Sequence, residues 1–339
     1  MSEPIEVLIT VDFKENQIQG LQEAFPRLNV TLHPTRHTEE IPAEIWENAE
    51  VLYTLSVLPE PEQAPKLRWV QFHSAGVDKQ ISAPILKKSD VVATSLSGAN
   101  AQQVAEHVIA MMLALGHKIP TALAHQGRHE WSADRFKLFV PRELYGSTVG
   151  IVGYGSIGRQ LARLLHHFEV KVLATKQNAM QPEDDGYTPA EHGDPKGDYF
   201  ERLYPPQALG SMFAECDFVA VTVPLTDTTR GMIGAKQLDA MKSSAFLIDV
   251  SRGGVVDQQA LVSALEERKI AGAALDVFAE EPLPTDSPLW ELRNVIITPH
   301  IAGGSYHYND RALTLFKENM QRYLDKTPLF NQVNIQKGY

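Results

Sequence analysis

The sequence predicts an α/β protein of two domains, a Rossmann doubly wound parallel sheet inserted into a smaller flavodoxin-like α/β domain. Three observations carry this expectation. Thr148 to Gly158 reads TVGIVGYGSIG, an apolar run followed by Gly153, Gly155 and Gly158 in G-x-G-x-x-G spacing, and Arg159 to Phe168 continues as a helix. Apolar runs then recur at Val170, Asp217 to Val223, Ala245 to Val250, Ala271 to Val277 and Asn294 to Thr298, with helical segments between most of them. That rhythm suits a full doubly wound sheet. Before it, short β-type runs at Ile5, Ala49, Leu67 and Asp90 alternate with polar or helical stretches, as in a small parallel α/β domain.

Taken in order, residues 1–100 form the first part of the small domain. From Ala101 the apolar segment AQQVAEHVIAMMLALGHKI reads as one connecting helix whose methionines and leucines belong to a core. The strand, turn and helix at 148–168 explain their glycines. Gly153 permits the sharp turn, Gly155 lets a pyrophosphate approach the backbone, and Gly158 allows close helix packing, while the helix N-terminus offers N–H groups and a positive dipole end. Ser156 and Ile157, between the last two glycines, join the expected cofactor-binding residues. After His300, Ser305 to Leu324 reads as a helix that returns to the small domain. The small domain is then discontinuous, 1–100 with 302–339, around a dinucleotide-binding domain at 101–301.

The next strand, EVKVLATK, ends at Lys176, where a carboxylate that binds the adenosine ribose is usual roughly 20 residues after the glycines. An ammonium there pairs with a 2′-phosphate, so NADP is favoured over NAD, with Thr175, Gln177 and Asn178 adding hydrogen bonds. Gln177 to Pro206, rich in Pro, Gly, Asp and Glu, reads as a long loop that either folds over the adenosine end or decorates the surface.

Composition narrows the class further. The chain has 339 residues, 43% hydrophobic and 22% charged, enough for two substantial cores. A net charge of −11 and a pI near 5.6 argue against nucleic acid or anionic membranes as partners. The single cysteine, Cys216, precludes an internal disulfide and reads as a small buried thiol. No signal-peptide pattern and no bilayer-length apolar segment appears, so a cytoplasmic protein is expected. His125 with His129, and His166 with His167, lack acidic or cysteine partners at ligand spacing, so no metal site is expected.

Several stretches together resemble the D-isomer-specific 2-hydroxyacid dehydrogenase family: HSAGVD at His73, NAQQVAEH at Asn100, VGYGSIG at Val152, VPLTDTTRGMIG at Val223, DVSRGGVVD at Asp249, DVFAEEPLP at Asp276 and TPHIAGG at Thr298. The resemblance implies a catalytic trio of Arg252, Glu281 and His300. The chemistry of 2-keto acid reduction suits them: His300 moves the hydroxyl proton, Glu281 orients its imidazole, and Arg252 binds the substrate carboxylate and polarises the C2 oxygen. It further implies that backbone amides at Ser74, Ala75 and Gly76 receive the substrate carboxylate, and that Asn100 binds near the substrate and nicotinamide. Val104, Val223, Pro224, Val250, Ser251 and Asp276 are implied as cofactor contacts, with Asp276 on the nicotinamide carboxamide and His300 also at the nicotinamide.

The resemblance also bears on substrate and assembly. Glutamate at 281, where formate dehydrogenases of this broad fold carry glutamine, disfavours formate. The stretch LSVLPEPE at Leu55 to Glu62 offers no cation for a phosphate, and no regulatory domain follows the last helix, which disfavours phosphoglycerate. Leu55, Val57 and Leu58 suggest an uncharged substrate tail, and glyoxylate, hydroxypyruvate, pyruvate or a larger 2-keto acid stay open. A homodimer through the cofactor domains, with the helix from Ala101 at the interface, is implied. The alternative is a non-catalytic dinucleotide sensor, because corepressors use the same family fold; turnover separates the two.

Overall fold

The computed structural model describes residues 3–88 and 90–336, which divide into two compact units. The first begins with β1 (Ile5–Ile9), α1 (Glu15–Ala24), β2 (Leu28–Leu32), α2 (Ala43–Asn48), β3 (Val51–Thr54), β4 (Trp69–Phe72) and β5 (Val92–Thr94). These strands form one parallel sheet in the order β2-β1-β3-β4-β5, the flavodoxin-like arrangement. Every residue of β3 and β4 is buried, which is why they read as continuous apolar runs rather than alternating ones.

The second unit spans residues 101–304. It opens with three helices, α3 (Ala101–Gly116), α4 (Ile119–Gly127) and α5 (Arg135–Leu138). Its first half continues through β6 (Thr148–Val152), α6 (Ser156–His166), β7 (Lys171–Thr175), β8 (Arg202–Tyr204) and α7 (Leu209–Phe213). The second half holds β9 (Phe218–Val221), α8 (Ala235–Asp239), β10 (Phe246–Asp249), α9 (Gln258–Glu266), β11 (Gly272–Leu275) and β12 (Val295–Ile297). The sheet order is β12-β11-β10-β9-β6-β7-β8, all parallel, so the order reverses between β6 and β9 as in a Rossmann sheet. Apolar residues fill both faces. Met212, Phe213, Leu247 and Leu265 lie in one layer, and Val108, Met112, Leu161 and Ile248 in the other.

The last helix, α10 (Tyr308–Leu324), belongs to the first unit, where Leu313, Phe316 and Met320 pack with Tyr53 and Trp69. Each such fully buried side chain contributes about 1.5–3 kcal/mol. The buried Asn319 amide donates to Gln71 Oε1 and to the Phe330 carbonyl, so the helix is tied by one hydrogen bond to β4 and by another to the segment that follows the helix.

Three details differ from the sequence expectation. The segment from Ala101 is two helices, broken where Gly116 is followed by Lys118 in left-handed conformation (φ 54°) and by Pro120. The long loop after β7 ends in an additional strand, β8, too short to carry a pattern, which makes the sheet seven-stranded. The chain returns to the first unit at Ser305 rather than at 302. Ala302 is buried in the second unit's core, and the Gln103 side chain donates to the Gly303 carbonyl. Among the described residues no single helix is long and apolar enough to cross a membrane.

Candidate active site

The dinucleotide turn joins β6 to α6 at the reversal of strand order. Gly153 has φ 103°, and a Cβ there would lie 2.6 Å from Val223 Cγ1. At Gly158 a Cβ would lie 2.3 Å from the Gly153 carbonyl oxygen. Gly155 differs, because a Cβ there would meet nothing within 4 Å and would project into open space. Two glycines thus serve packing and the middle one leaves room for a ligand, which is the division of labour a pyrophosphate requires. Gly155 is also the N-cap of α6 and carries no capping side chain, so the helix start at Ser156 and Ile157 is suited to an anion. These residues fit a dinucleotide.

Thr175 fixes the turn from the β7 side: its hydroxyl accepts from Gly153 N at 3.0 Å and its carbonyl from Tyr154 N at 2.8 Å. Lys176 follows. Its ammonium donates to the Gln181 and Glu183 carbonyls at 2.7 and 2.6 Å. Burial and the nearby Arg159 lower its pKa, against the opposing pull of Asp184, Glu183 and Asp185. Lys176 is therefore chiefly a loop tether, with one of an ammonium's three donors left for a ligand.

The trio emerges from the carboxyl ends of three adjacent strands. Arg252 follows β10, Glu281 lies in the loop after β11, and His300 follows β12. His300 Nδ1 lies 2.8 Å from Glu281 Oε2, and Glu281 Oε1 accepts from Phe278 N at 3.1 Å. With the carboxylate on Nδ1, the ring's Nε2 is the nitrogen left to face a reacting group. His300 has φ 53°, uncommon outside glycine though less so for histidine than for branched residues. Asp276 holds this backbone in place. Its Oδ1 accepts from Thr298 Oγ1 at 2.6 Å and Ile301 N at 2.9 Å, and its Oδ2 from Ala302 N at 2.9 Å.

The Arg252 loop is set by its neighbours. Arg252 Nη1 donates to the Ser251 carbonyl at 2.7 Å, and buried Asp249 accepts from Ser251 N at 3.0 Å and Ser251 Oγ at 2.5 Å. Burial pushes the Asp249 carboxyl up to about 6; the Ser251 donors oppose this and the Asp276 charge adds to it. A Cβ on Gly253 would lie 1.7 Å from the Phe278 carbonyl oxygen. Only glycine lets the Arg252 loop lie against the segment that leads to Glu281.

In the first unit, Ser74, Ala75 and Gly76 form a turn after β4, with Ser74 Oγ donating to the Gly76 carbonyl at 2.8 Å. His73, just before it, is boxed by Phe13, Tyr53 and Tyr308, and its Nδ1 lies 2.7 Å from Tyr53 OH. Burial lowers its pKa to about 4, against a smaller opposing effect of Asn309, so the ring is neutral. Asn100 Oδ1 is buried without a hydrogen-bond partner. An orphan acceptor of this kind awaits a donor.

Other expected residues divide. Val223 touches the glycine turn, Pro224 is exposed, and Val250 and Ser251 are buried beside the Arg252 loop. Val104, expected at the nicotinamide, is packed in the second unit's core on α3. Val57, expected to suggest a substrate tail, is 2% exposed in the first unit's core, because an apolar residue after a strand reads the same whether it faces core or ligand. Asp276, expected on the carboxamide, spends three of a carboxylate's roughly four acceptor positions on the His300 segment. Cys216 is fully buried, and burial pushes its thiol up to about 12, so it is no nucleophile. α4 ends at Gly127, so His125 and His129 do not share a helix face. Among the described residues no cluster of three His, Cys, Asp or Glu side chains lies close enough to hold a metal.

Comparison with known proteins matches residues 109–302 to the NAD binding domain of D-isomer specific 2-hydroxyacid dehydrogenases. The chain is 32% identical over 325 residues to a glyoxylate reductase of Korarchaeum cryptofilum, covering 93% of this chain and 91% of that protein. It is 33% identical over 335 residues to a D-3-phosphoglycerate dehydrogenase of Methanocaldococcus jannaschii, covering 98% of this chain but only 60% of that longer protein. A D-isomer specific 2-hydroxyacid dehydrogenase from Xanthobacter autotrophicus, solved with NADPH and MES, superposes with a TM-score of 0.79 at 28% identity, each chain covered in full.

Proposed function

We propose that this chain, which belongs to the D-isomer specific 2-hydroxyacid dehydrogenase family, reduces a small 2-keto acid to the D-2-hydroxy acid with a reduced nicotinamide dinucleotide. The observation that carries the reading is the 2.8 Å pair of His300 Nδ1 and Glu281 Oε2, at the carboxyl ends of the strands that also present Arg252. The bound dinucleotide supplies the hydride that C2 receives. His300 gives its Nε2 proton to the carbonyl oxygen, and Glu281 fixes the ring that gives it. The Arg252 guanidinium draws electron density toward that oxygen and binds the carboxylate. Amides of Ser74, Ala75 and Gly76 serve as further carboxylate donors, and Gly155, Ser156 and Ile157 receive the pyrophosphate.

Glyoxylate and hydroxypyruvate are the substrates this reading favours. The glyoxylate reductase relative matches over nearly its whole length, and no cation stands in Leu55 to Glu62 to hold a phosphate. NADPH is preferred modestly over NADH. Position 176 carries a cation in place of a repelling carboxylate, yet that ammonium is mostly committed to the loop. A homodimer is supported by a run of exposed apolar side chains, Ile119, Leu123, Trp131, Phe136, Val140 and Tyr145. The sensor alternative has no observation in its favour.

The test follows reduced-nicotinamide absorbance with glyoxylate, hydroxypyruvate, pyruvate and 3-phosphohydroxypyruvate, each with NADPH and NADH. Turnover of the first two, faster with NADPH and lost in His300→Ala, is expected. Tight dinucleotide binding with no turnover of any keto acid would overturn the reading.

A further inference from the structure

The segment between β7 and β8 carries more buried polar structure than a surface loop needs. Asp194, 2% exposed, sits at its centre. Its Oδ1 accepts from Gly197 N at 3.0 Å and Asp198 N at 2.8 Å, and its Oδ2 from Tyr199 N at 3.1 Å and Tyr154 OH at 2.5 Å. All of a carboxylate's acceptor positions, about four, are filled. Tyr154 is the residue between Gly153 and Gly155, so the loop reaches the glycine turn itself.

A buried cation completes the arrangement. Arg159, next after Gly158 and 1% exposed, donates to the Asp194 and Pro182 carbonyls, and its guanidinium lies 4.8 Å from the centre of the Tyr154 ring. Its Nε has no hydrogen-bond partner, and Asp184 Oδ2 stands 4.0 Å away. Gln160, also 1% exposed, accepts from Gly193 N. The loop is thus fastened to two consecutive residues of the first turns of α6 and to the middle of the glycine turn. Burying an arginine and an aspartate is costly even when they are paired, and stability alone would be served as well by an apolar contact. What the polar network adds is a fixed position for the backbone that a pyrophosphate must approach.

We propose that Tyr154, Arg159 and Asp194 are positioning residues of the dinucleotide turn, and that the segment from Gln177 to Tyr199 is a fixed buttress for it rather than a lid. The proposal rests on the reading of the turn as a dinucleotide site. It follows that Tyr154→Phe, which removes one hydroxyl and keeps the ring over Arg159, loosens the turn without touching the reacting groups.

Two measurements test it on the full chain. Titration calorimetry with NADPH and with NADH is expected to give about tenfold weaker binding in Tyr154→Phe for both, the worth of one hydrogen bond to a charged group. Amide exchange of the wild-type protein is expected to show Gly197, Asp198 and Tyr199 slow in the free protein and equally slow with NADPH. Wild-type affinity retained in Tyr154→Phe would overturn the proposal alone, as would amides that are fast when free and slow when bound, the behaviour of a lid. Failure of the wild-type protein to bind either dinucleotide would overturn the cofactor reading and this proposal with it. The exchange experiment decides between buttress and lid even where the variant does not fold.

Discussion

Asp249 illustrates how one buried group shapes the site from beneath. It holds Ser251, and through it the base of Arg252, with a carboxyl raised to about 6 by burial. A raised carboxyl stabilises the fold at low pH and loses that contribution as pH climbs from the unfolded value near 3.9 through about 6. Asp249→Asn keeps an acceptor for Ser251 and removes the charge. Its stability relative to wild type is expected to improve by about 2–3 kcal/mol between pH 4 and 7, a shift of two pKa units, and to level off above. Denaturant melts at those pH values check this; a pH-independent difference would refute it. The placement of Arg252, Glu281 and His300 after apolar strands is legible in the sequence through the motifs that hold them. Asp249 hides there as an acid at a strand end, and Asp276, expected on the carboxamide, gives no sign of its bonds to the His300 segment, because partners such as Ala302 N are set by the tertiary fold. The tethering of Lys176 to the Gln181 and Glu183 carbonyls is hidden for the same reason, since these partners lie on a loop with no pattern.

At the scale of elements, the proposed catalytic groups depend on close contact between loops. Gly253 brings the Arg252 loop against Phe278, three residues before Glu281. Gly253→Ala is expected to cost about 1–3 kcal/mol in unfolding free energy, the usual penalty of forcing atoms into a filled space. It should also lower kcat/KM, since the backbone on one side must retreat. Unchanged stability and activity would show that the contact is slack. Most strands are readable beforehand, because parallel strands covered on both faces form unbroken apolar runs and each is followed by a turn. β8 escapes notice with only three residues, and the break after α3 is hidden by apolar residues on both sides of it. The loop before β8 reads as polar and irregular, and its composition gives no sign of the buried Asp194 network.

For the whole molecule, the homodimer proposed above rests on the exposed apolar side chains between Ile119 and Tyr145. Trp131 and Phe136 are 86% and 80% exposed, apolar surface that a second copy would cover in that homodimer. Light scattering is expected to give twice 37.7 kDa for the wild-type chain and one copy for the double variant Trp131→Glu, Phe136→Glu. A monomeric wild-type protein would contradict the assignment. In the proposed reaction His300, oriented by Glu281, supplies the proton to the 2-keto acid. The most direct measurement compares His300→Gln with wild type for both kcat on glyoxylate and calorimetric affinity for NADPH. The expected result is a kcat lower by about 10²–10⁴-fold, the usual worth of a positioned acid, with NADPH affinity unchanged. A variant that turns over as fast as wild type would contradict the account.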